Sequence, residues 1–274
     1  MTTKRSADLS LDPSWQFPAF TILERTPKAH KYCVCVFVIN EGDRVGRQLA
    51  TMAQFADQID IIVADGGSTD DSLRESVLEA GRVRTLLTKT GPGKLSAQMR
   101  MAFAYALNQD YEGVVVVDGN GKDDITALPL FIKALDDGYD HIQGSRYIPG
   151  GHAINTPLSR HLAVQLLHAP LISLSAGVRH TDTTNGFRAY SGRLLADTKL
   201  QVFRDVFATY ELHYYLAIAA PRSGYRVTEV PVTRAYPKTG KTPTKISPIK
   251  GNLKVLKILF KAAARQYDPP KEAK

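Results

Sequence analysis

Cysteine is nearly absent from this chain, which excludes a disulfide scaffold. Among 274 residues only Cys33 and Cys35 occur. They lie two apart in an apolar run, so on a strand both point to one face. That spacing fits neither a CxxC redox pair nor a zinc knuckle, and buried thiols in a reducing compartment are expected. Long hydrophobic runs are missing as well. No stretch approaches the roughly 18 uninterrupted apolar residues of a membrane-spanning helix. Lys4 and Arg5 are followed by polar residues and prolines, not by the apolar segment of a secretory leader. The expected location is therefore the cytoplasm. Acidic residues are scarce at one end only. Residues 226–274 hold 12 Lys/Arg against 3 Asp/Glu, a net of +9, whereas residues 1–225 hold 23 against 24. Charge placed this way argues against a nucleic-acid binder and for one anionic partner near the C-terminal end.

Apolar residues make up 43% and charged residues 23%, ordinary for a globular domain. Residues 1–31 lack periodicity and read as an irregular arm. Apolar runs at 32–39, 59–64, 83–88 and 113–118 read as buried parallel strands. Between them Val45, Leu49, Met52 and Phe55 repeat at helical spacing, Asp70-Asp71 opens a second helix that Gly81 ends, and Met99, Phe103 and Leu107 mark a third over 94–108. Such alternation predicts a doubly wound α/β sheet, in which ligands bind beyond the carboxyl ends of the strands.

At those ends stand Asn40-Glu41, Asp65-Gly66-Gly67-Ser68-Thr69-Asp70, Gly91-Pro92-Gly93-Lys94 and Asp118-Gly119-Asn120-Gly121-Lys122-Asp123-Asp124. Glycines let backbone approach a ligand, and acids and amides bind ribose, base or cation. Each alone is an ordinary turn or cap; together and in order they carry information. Phe37-Val38-Ile39-Asn40-Glu41, Ala64 through Asp70, and an apolar strand ending in Asp118-Gly119-Asn120 resemble glycosyltransferase family 2, with the GT-A fold. Gly144-Ser145-Arg146-Tyr147, Asp182 through Tyr190, and Gly224 through Val232 are similar to its dolichyl-phosphate mannose synthase, or polyprenyl-phosphate, group.

The resemblance implies a mostly parallel sheet flanked by helices, with the catalytic domain over 32–247. It implies an inverting transfer of a sugar from a UDP- or GDP-linked donor to a polyprenyl phosphate at the cytoplasmic membrane face. Asn40, Glu41, Asp65, Gly67, Ser68, Lys94, Asp118, Gly119, Asn120 and Lys122 match donor-side positions. Ser145, Arg146, Arg160, Asn185 and Arg188 match the acceptor side, and Asp118, Arg146 and Arg160 are the expected catalytic set. Asp118 and Asn120 occupy the outer positions of the family's metal-binding DxD, which implies Mg²⁺ or Mn²⁺. Two departures bear on this. Asn120 replaces an Asp, giving a ligand without charge, and Lys122 stands where the polyprenyl group often has Gln. A hydroxyl acceptor requires a general base, for which Asp123, Asp124 or Glu211 are the places to look. A lipid phosphate requires only cations such as Arg160 and Arg188. The rivals are transfer to a saccharide hydroxyl and a nucleotide-binding membrane scaffold that has lost activity. His161 and His168, seven apart on a predicted helix, read as structural.

Over 248–274 the lysines Lys250, Lys254, Lys257 and Lys261, with Arg265, form a stripe on a predicted helix. Ile249, Leu253, Leu256, Leu259 and Phe260 lie on its other side. A helix of this kind suits a headgroup region. Packing on the catalytic domain, or on a second copy in a homo-oligomer, is the alternative. Lys238, Lys241 and Lys245 lie in a Gly/Pro/Thr-rich loop suited to closing over phosphates, or simply solvated.

Overall fold

The computed structural model describes residues 2–238 and 250–270; Lys241, Lys245 and Ile249 lie outside them. The strands are β1 (Thr2–Arg5), β2 (Phe20–Glu24), β3 (Tyr32–Val38), β4 (Asp60–Asp65), β5 (Thr85–Lys89), β6 (Gly113–Asp118), β7 (His141–Ser145), β8 (His152–Ile154), β9 (Arg188–Ser191), β10 (Val227–Pro231) and β11 (Thr233–Ala235). Nine form one sheet in the order β1-β2-β5-β4-β3-β6-β9-β7-β10. Strands β5, β4, β3 and β6 run parallel, as do β7 and β10. β9 lies antiparallel between β6 and β7.

The helices are α1 (Asp43–Met52), α2 (Glu75–Ala80), α3 (Leu95–Asn108), α4 (Leu128–Asp136), α5 (Leu158–Ala163), α6 (Ala169–Ala176), α7 (Gly192–Leu195), α8 (Glu211–Arg222) and α9 (Lys250–Ala263). A π-helical stretch, Val164–His168, joins α5 to α6. Alternation along β3 shows how one strand serves two layers. Cys33, Cys35 and Phe37 pack with Met99 and Phe103 of α3 and Leu212 and Leu216 of α8. Val34, Val36 and Val38 pack with Val45 and Leu49 of α1 and Leu128 and Phe131 of α4. Burial on both faces explains the continuous apolar reading of this strand, and both cysteines are buried and free.

The expected central strands and helices are present to within two residues, except that a 3₁₀ turn at Asp71–Leu73 precedes the shorter α2. The arm is not irregular throughout. β1 and β2 extend the sheet by antiparallel pairing onto β5, with Phe20 and Ile22 buried. An alternation of two buried residues is too short to stand out as a period.

Candidate active site

Four loops end on the rim at the carboxyl ends of the parallel strands, and the first two are tied to each other through side chains. Asn40 sits at φ 47°; its backbone N–H donates to Ser68 Oγ (2.9 Å) and its Oδ1 accepts from the Thr69 N–H (2.8 Å). Asp65, buried, accepts from the Ser68 N–H and Oγ–H at 2.9 and 2.7 Å. Glu41, also buried, accepts from Arg44. Gly67 turns at φ 93°, a conformation that favours glycine. Lys94 is exposed just before α3, its N–H on the Ala208 carbonyl. In the next loop Gln48 of α1 donates to the Asp118 carbonyl (2.9 Å) and accepts from the Gly121 N–H (2.8 Å). Gly119 is packed so closely that a Cβ would lie 2.9 Å from Val38.

The Asp118 carboxylate is the centre of this rim. A Cβ on Gly186 would approach it to 3.1 Å, so glycine there lets the Asn185–Gly186 loop lie against it. Arg234 of β11 donates to Asp118 Oδ2 at 3.2 Å and also to Asp123 Oδ2. Two backbone bonds bring it there, from the Asp124 N–H to the Thr233 carbonyl (2.9 Å) and from the Ala235 N–H to the Lys122 carbonyl (2.8 Å). One step on, buried Tyr236 accepts from Arg160 of α5 (2.7 Å) and lies under the Lys122 ammonium, 5.4 Å from its ring centre. Burial alone would raise the Tyr236 phenol, but Arg234, Arg160 and Lys122 hold its pKa below the ordinary value. Burial, then Arg234, also lowers the pKa of Lys122. Three cations and two carboxylates thus share one partly enclosed site.

Arg146 and Arg188 are placed differently from expectation. Arg146 Nε and Nη2 donate to the two oxygens of Asp182 at 2.6 and 2.9 Å, and Nη2 also to Thr184. Arg188 donates to the carbonyls of Asn185, His213 and Thr183. Both side chains are buried with those donors engaged, so each shapes the Thr181–Phe187 loop. Glu229 of β10 completes the support, accepting from the Thr181 N–H and Oγ–H. Ser145 is likewise buried, its hydroxyl 2.5 Å from that of Thr181. Asn185 Oδ1 accepts from the Phe187 N–H, while its buried Nδ2 has no partner among the described residues. The candidate bases are also engaged. Asp123 is buried on Arg234, Asp124 caps Thr126, and Glu211 accepts from Thr209. His161 packs its ring on Tyr147 and His168 sits 3.2 Å from the Tyr214 hydroxyl, the structural roles expected.

Arg234 and Tyr236 are site residues that motif reading passed over. Alternation in Thr233-Arg234-Ala235-Tyr236 puts both on one side of a strand. Which side faces the site depends on pairing with β8 and the 122–124 loop, which has no local signal.

The model of glycosyl transferase family 2 matches residues 33–199. The chain belongs to that family. Polyprenol monophosphomannose synthase of Mycolicibacterium smegmatis is 28% identical over 73% of this chain and 76% of its own. Undecaprenyl-phosphate mannosyltransferase of Micrococcus luteus is 28% identical over 71% and 79%. Dolichyl-phosphate hexose transferase of Haloferax volcanii is 27% identical over 83% and 91%. Among solved structures, glucosyl-3-phosphoglycerate synthase of Mycobacterium tuberculosis with Mn²⁺, UDP and phosphoglyceric acid superposes with a TM-score of 0.62 at 16% identity, covering 88% of this chain and 80% of that one. That likeness shows the fold.

A divalent cation is bound in that neighbour; in this family 2 glycosyltransferase Asp118 is the one carboxylate of the altered motif, and Arg234 already lies on it. Among the described residues no group of three or more His, Cys, Asp or Glu gathers as a metal site. Asn120 turns its amide Nδ2 to Asp118 Oδ2 (3.2 Å), while its carbonyl accepts from the Lys122 N–H (3.2 Å). Its one ligating oxygen thus carries one hydrogen bond and brings no charge.

Proposed function

We propose that this glycosyltransferase moves a sugar from a UDP- or GDP-linked donor to a polyprenyl phosphate, with inversion, at the cytoplasmic face of a membrane. The observation that carries this reading is the pairing of engaged carboxylates with available cations. A hydroxyl acceptor needs a base to take its proton, yet Asp123, Asp124 and Glu211 are all held by other groups. A phosphate monoester arrives already anionic and needs only positioning. Arg160, half-buried beside Tyr236, suits that task. Asn40, Glu41, Asp65, Gly67 and Ser68 would shape the base and ribose end. The names of the three relatives agree with this acceptor class.

The Mg²⁺ or Mn²⁺ expected at Asp118 and Asn120 is left out of this reading because the donor set does not fit it. In the transfer, the acceptor phosphate oxygen attacks the anomeric carbon from the face opposite the leaving nucleoside diphosphate. The cationic site holds both phosphate groups, and charge on the leaving group is stabilised where it develops.

Contact with a membrane has its own support. No helix among the described residues is long and apolar enough to cross one. The helical run over 158–176, however, exposes Leu158, Leu162, Leu166 and Leu174, the last two at 73% and 83%. Beside α6 packs α9, which turns Ile258, Leu259 and Ala262 into the domain and leaves Leu253, Phe260 and its lysines outside. Apolar side chains next to Lys250, Lys254, Lys257 and Lys261 suit an anionic lipid surface. The domain-packing alternative thus accounts for part of α9, and the membrane reading for the rest.

Incubation with labelled UDP- and GDP-sugars and a short polyprenyl phosphate is expected to move label into the organic phase. Label recovered only in water-soluble or polymeric product would sink the reading in favour of a hydroxyl acceptor.

A further inference from the structure

Arg234 places a fixed positive charge on the carboxylate where a divalent ion is expected. Its guanidinium lies on Asp118 Oδ2 at 3.2 Å, and its other arm is on Asp123. Its side chain is 7% exposed, whereas that of Asp118 is 26% exposed and faces the site. Lys122, buried, is held over the ring of Tyr236, two residues beyond Arg234 on the same side of the chain. Arg160 approaches Tyr236 through its hydroxyl. The cations are thus arranged in sequence around Tyr236, with Arg234 and Lys122 toward the strand end that bears Asp118 and Arg160 toward α5. Asn120 cannot supply the second anionic ligand that would draw a divalent ion in.

We propose that the donor diphosphate is held without a divalent cation, Arg234 standing in the ion's place on Asp118 and sharing the phosphate charge with Lys122. The role is one of binding and of stabilising the leaving group, and it rests on the reading of this site as a nucleotide-sugar site. Arg160 then remains for the acceptor phosphate, so the two phosphates are handled by different cations on either side of Tyr236. Asp123 serves Arg234 as a buried counterion that fixes where the guanidinium points; its Oδ1 has no other partner among the described residues.

Calorimetric titration of the full chain with UDP and with GDP, in EDTA and in excess Mn²⁺, tests this. One of the two nucleotides is expected to bind with an affinity that differs less than about threefold between the two conditions. Arg234→Gln should weaken binding in EDTA by about tenfold or more, the loss of one charge-assisted contact. In that variant Asp118 and Asp123 are both released, so Mn²⁺ should restore part of the affinity and create a metal dependence the parent lacks. Should Arg234→Gln not fold, the doubly neutral Asp123→Asn/Arg234→Gln variant keeps the expected loss in EDTA. Binding by the parent that requires Mn²⁺ would overturn the proposal while leaving the donor site intact. So would an Arg234→Gln variant that binds as the parent does in EDTA. Binding of neither nucleotide in either condition would remove the donor reading itself, and this inference with it.

Discussion

Two of the arginine–aspartate pairs of this molecule, Arg146–Asp182 and Arg234–Asp118, differ in what is left open around them. In Arg146–Asp182 both side chains are at most 1% exposed, and Asp182 also accepts from the Thr184 and Asn185 N–H groups. Burial would raise the Asp182 carboxyl, but Arg146 holds it below the usual range. The pair is closed, and its work is to fix a loop. In Arg234–Asp118 the carboxylate is partly exposed, one of its oxygens carries no hydrogen bond among the described residues, and a second cation stands nearby. Burial of charge alone therefore does not mark function here. What marks it is a charged group with an unfilled side facing a cleft.

The largest expected effect separates the two pairs by stability. Asp182→Asn strands a buried guanidinium and is expected to cost about 3–5 kcal/mol. For a chain of this size that is a fall in Tm of about 10 °C, read by thermal denaturation. Asp118→Asn, at a partly exposed pair, should change stability by less than about 1 kcal/mol. Sugar transfer should fall by about a hundredfold or more in Arg234→Gln, as when one preorganised cation at the leaving group is lost. If Asp118→Asn proved the more destabilising of the two, the comparison would be reversed.

Legibility in the sequence follows the same division. Asn40, Asp65 and Asp118 were readable because each ends an apolar strand, and a parallel sheet puts all such ends on one rim. The Asp182–Tyr190 segment is recognisable as a motif, yet the motif points Arg146 and Arg188 at a ligand. Their partners are Asp182 and the carbonyls of residues 183, 185 and 213; tertiary structure brings Asp182 to Arg146 and residue 213 to Arg188, and the inward turn of the 183–188 loop supplies the rest. Arg234 was invisible for a related reason. Its partners lie 111 and 116 residues away, reached through an isolated bridge between Asp123 and Arg234. Local pattern gives the direction of a strand and its alternation, but not which loop it will lie against.

A smaller effect probes what sits beneath the closed loop. His141, His180 and His213 are buried near Arg188. Burial, with Arg188 adding to it, lowers the pKa of His141 and His213 well below the ordinary value. Burial lowers that of His180 to about 4. Above about pH 6.5 all three are neutral folded or unfolded, and their contribution is fully present. As pH falls below that value, the unfolded chain gains protons that the folded one does not, so stability falls with it. Between pH 6.5 and 5.5 the loss should be about 1 kcal/mol per histidine, measured by urea unfolding at each pH. His141→Leu should shallow this slope by about a third, because both its ring nitrogens lack partners among the described residues. An unchanged slope would place the acid sensitivity elsewhere.

The smallest effect on stability carries the open-versus-closed distinction to α9. Leu259 is fully buried against the domain, whereas Leu253 and Phe260 are 62% and 52% exposed. Seven residues separate these two, so both lie on one flank of the lysine stripe. Replacing the exposed pair, Leu253→Gln with Phe260→Gln, removes nothing that the folded domain packs against, and stability should stay within about 0.5 kcal/mol. Binding to phosphatidylglycerol vesicles, followed by sedimentation, should nevertheless weaken by about tenfold or more, since each apolar side chain contributes about 1.5–3 kcal/mol on full burial and about half of each is still exposed. A large loss of stability would mean that the flank is covered by protein, through a second copy or through residues 239–249. Unchanged sedimentation at unchanged stability would leave the lysines alone to hold the surface, and such binding should vanish at high salt.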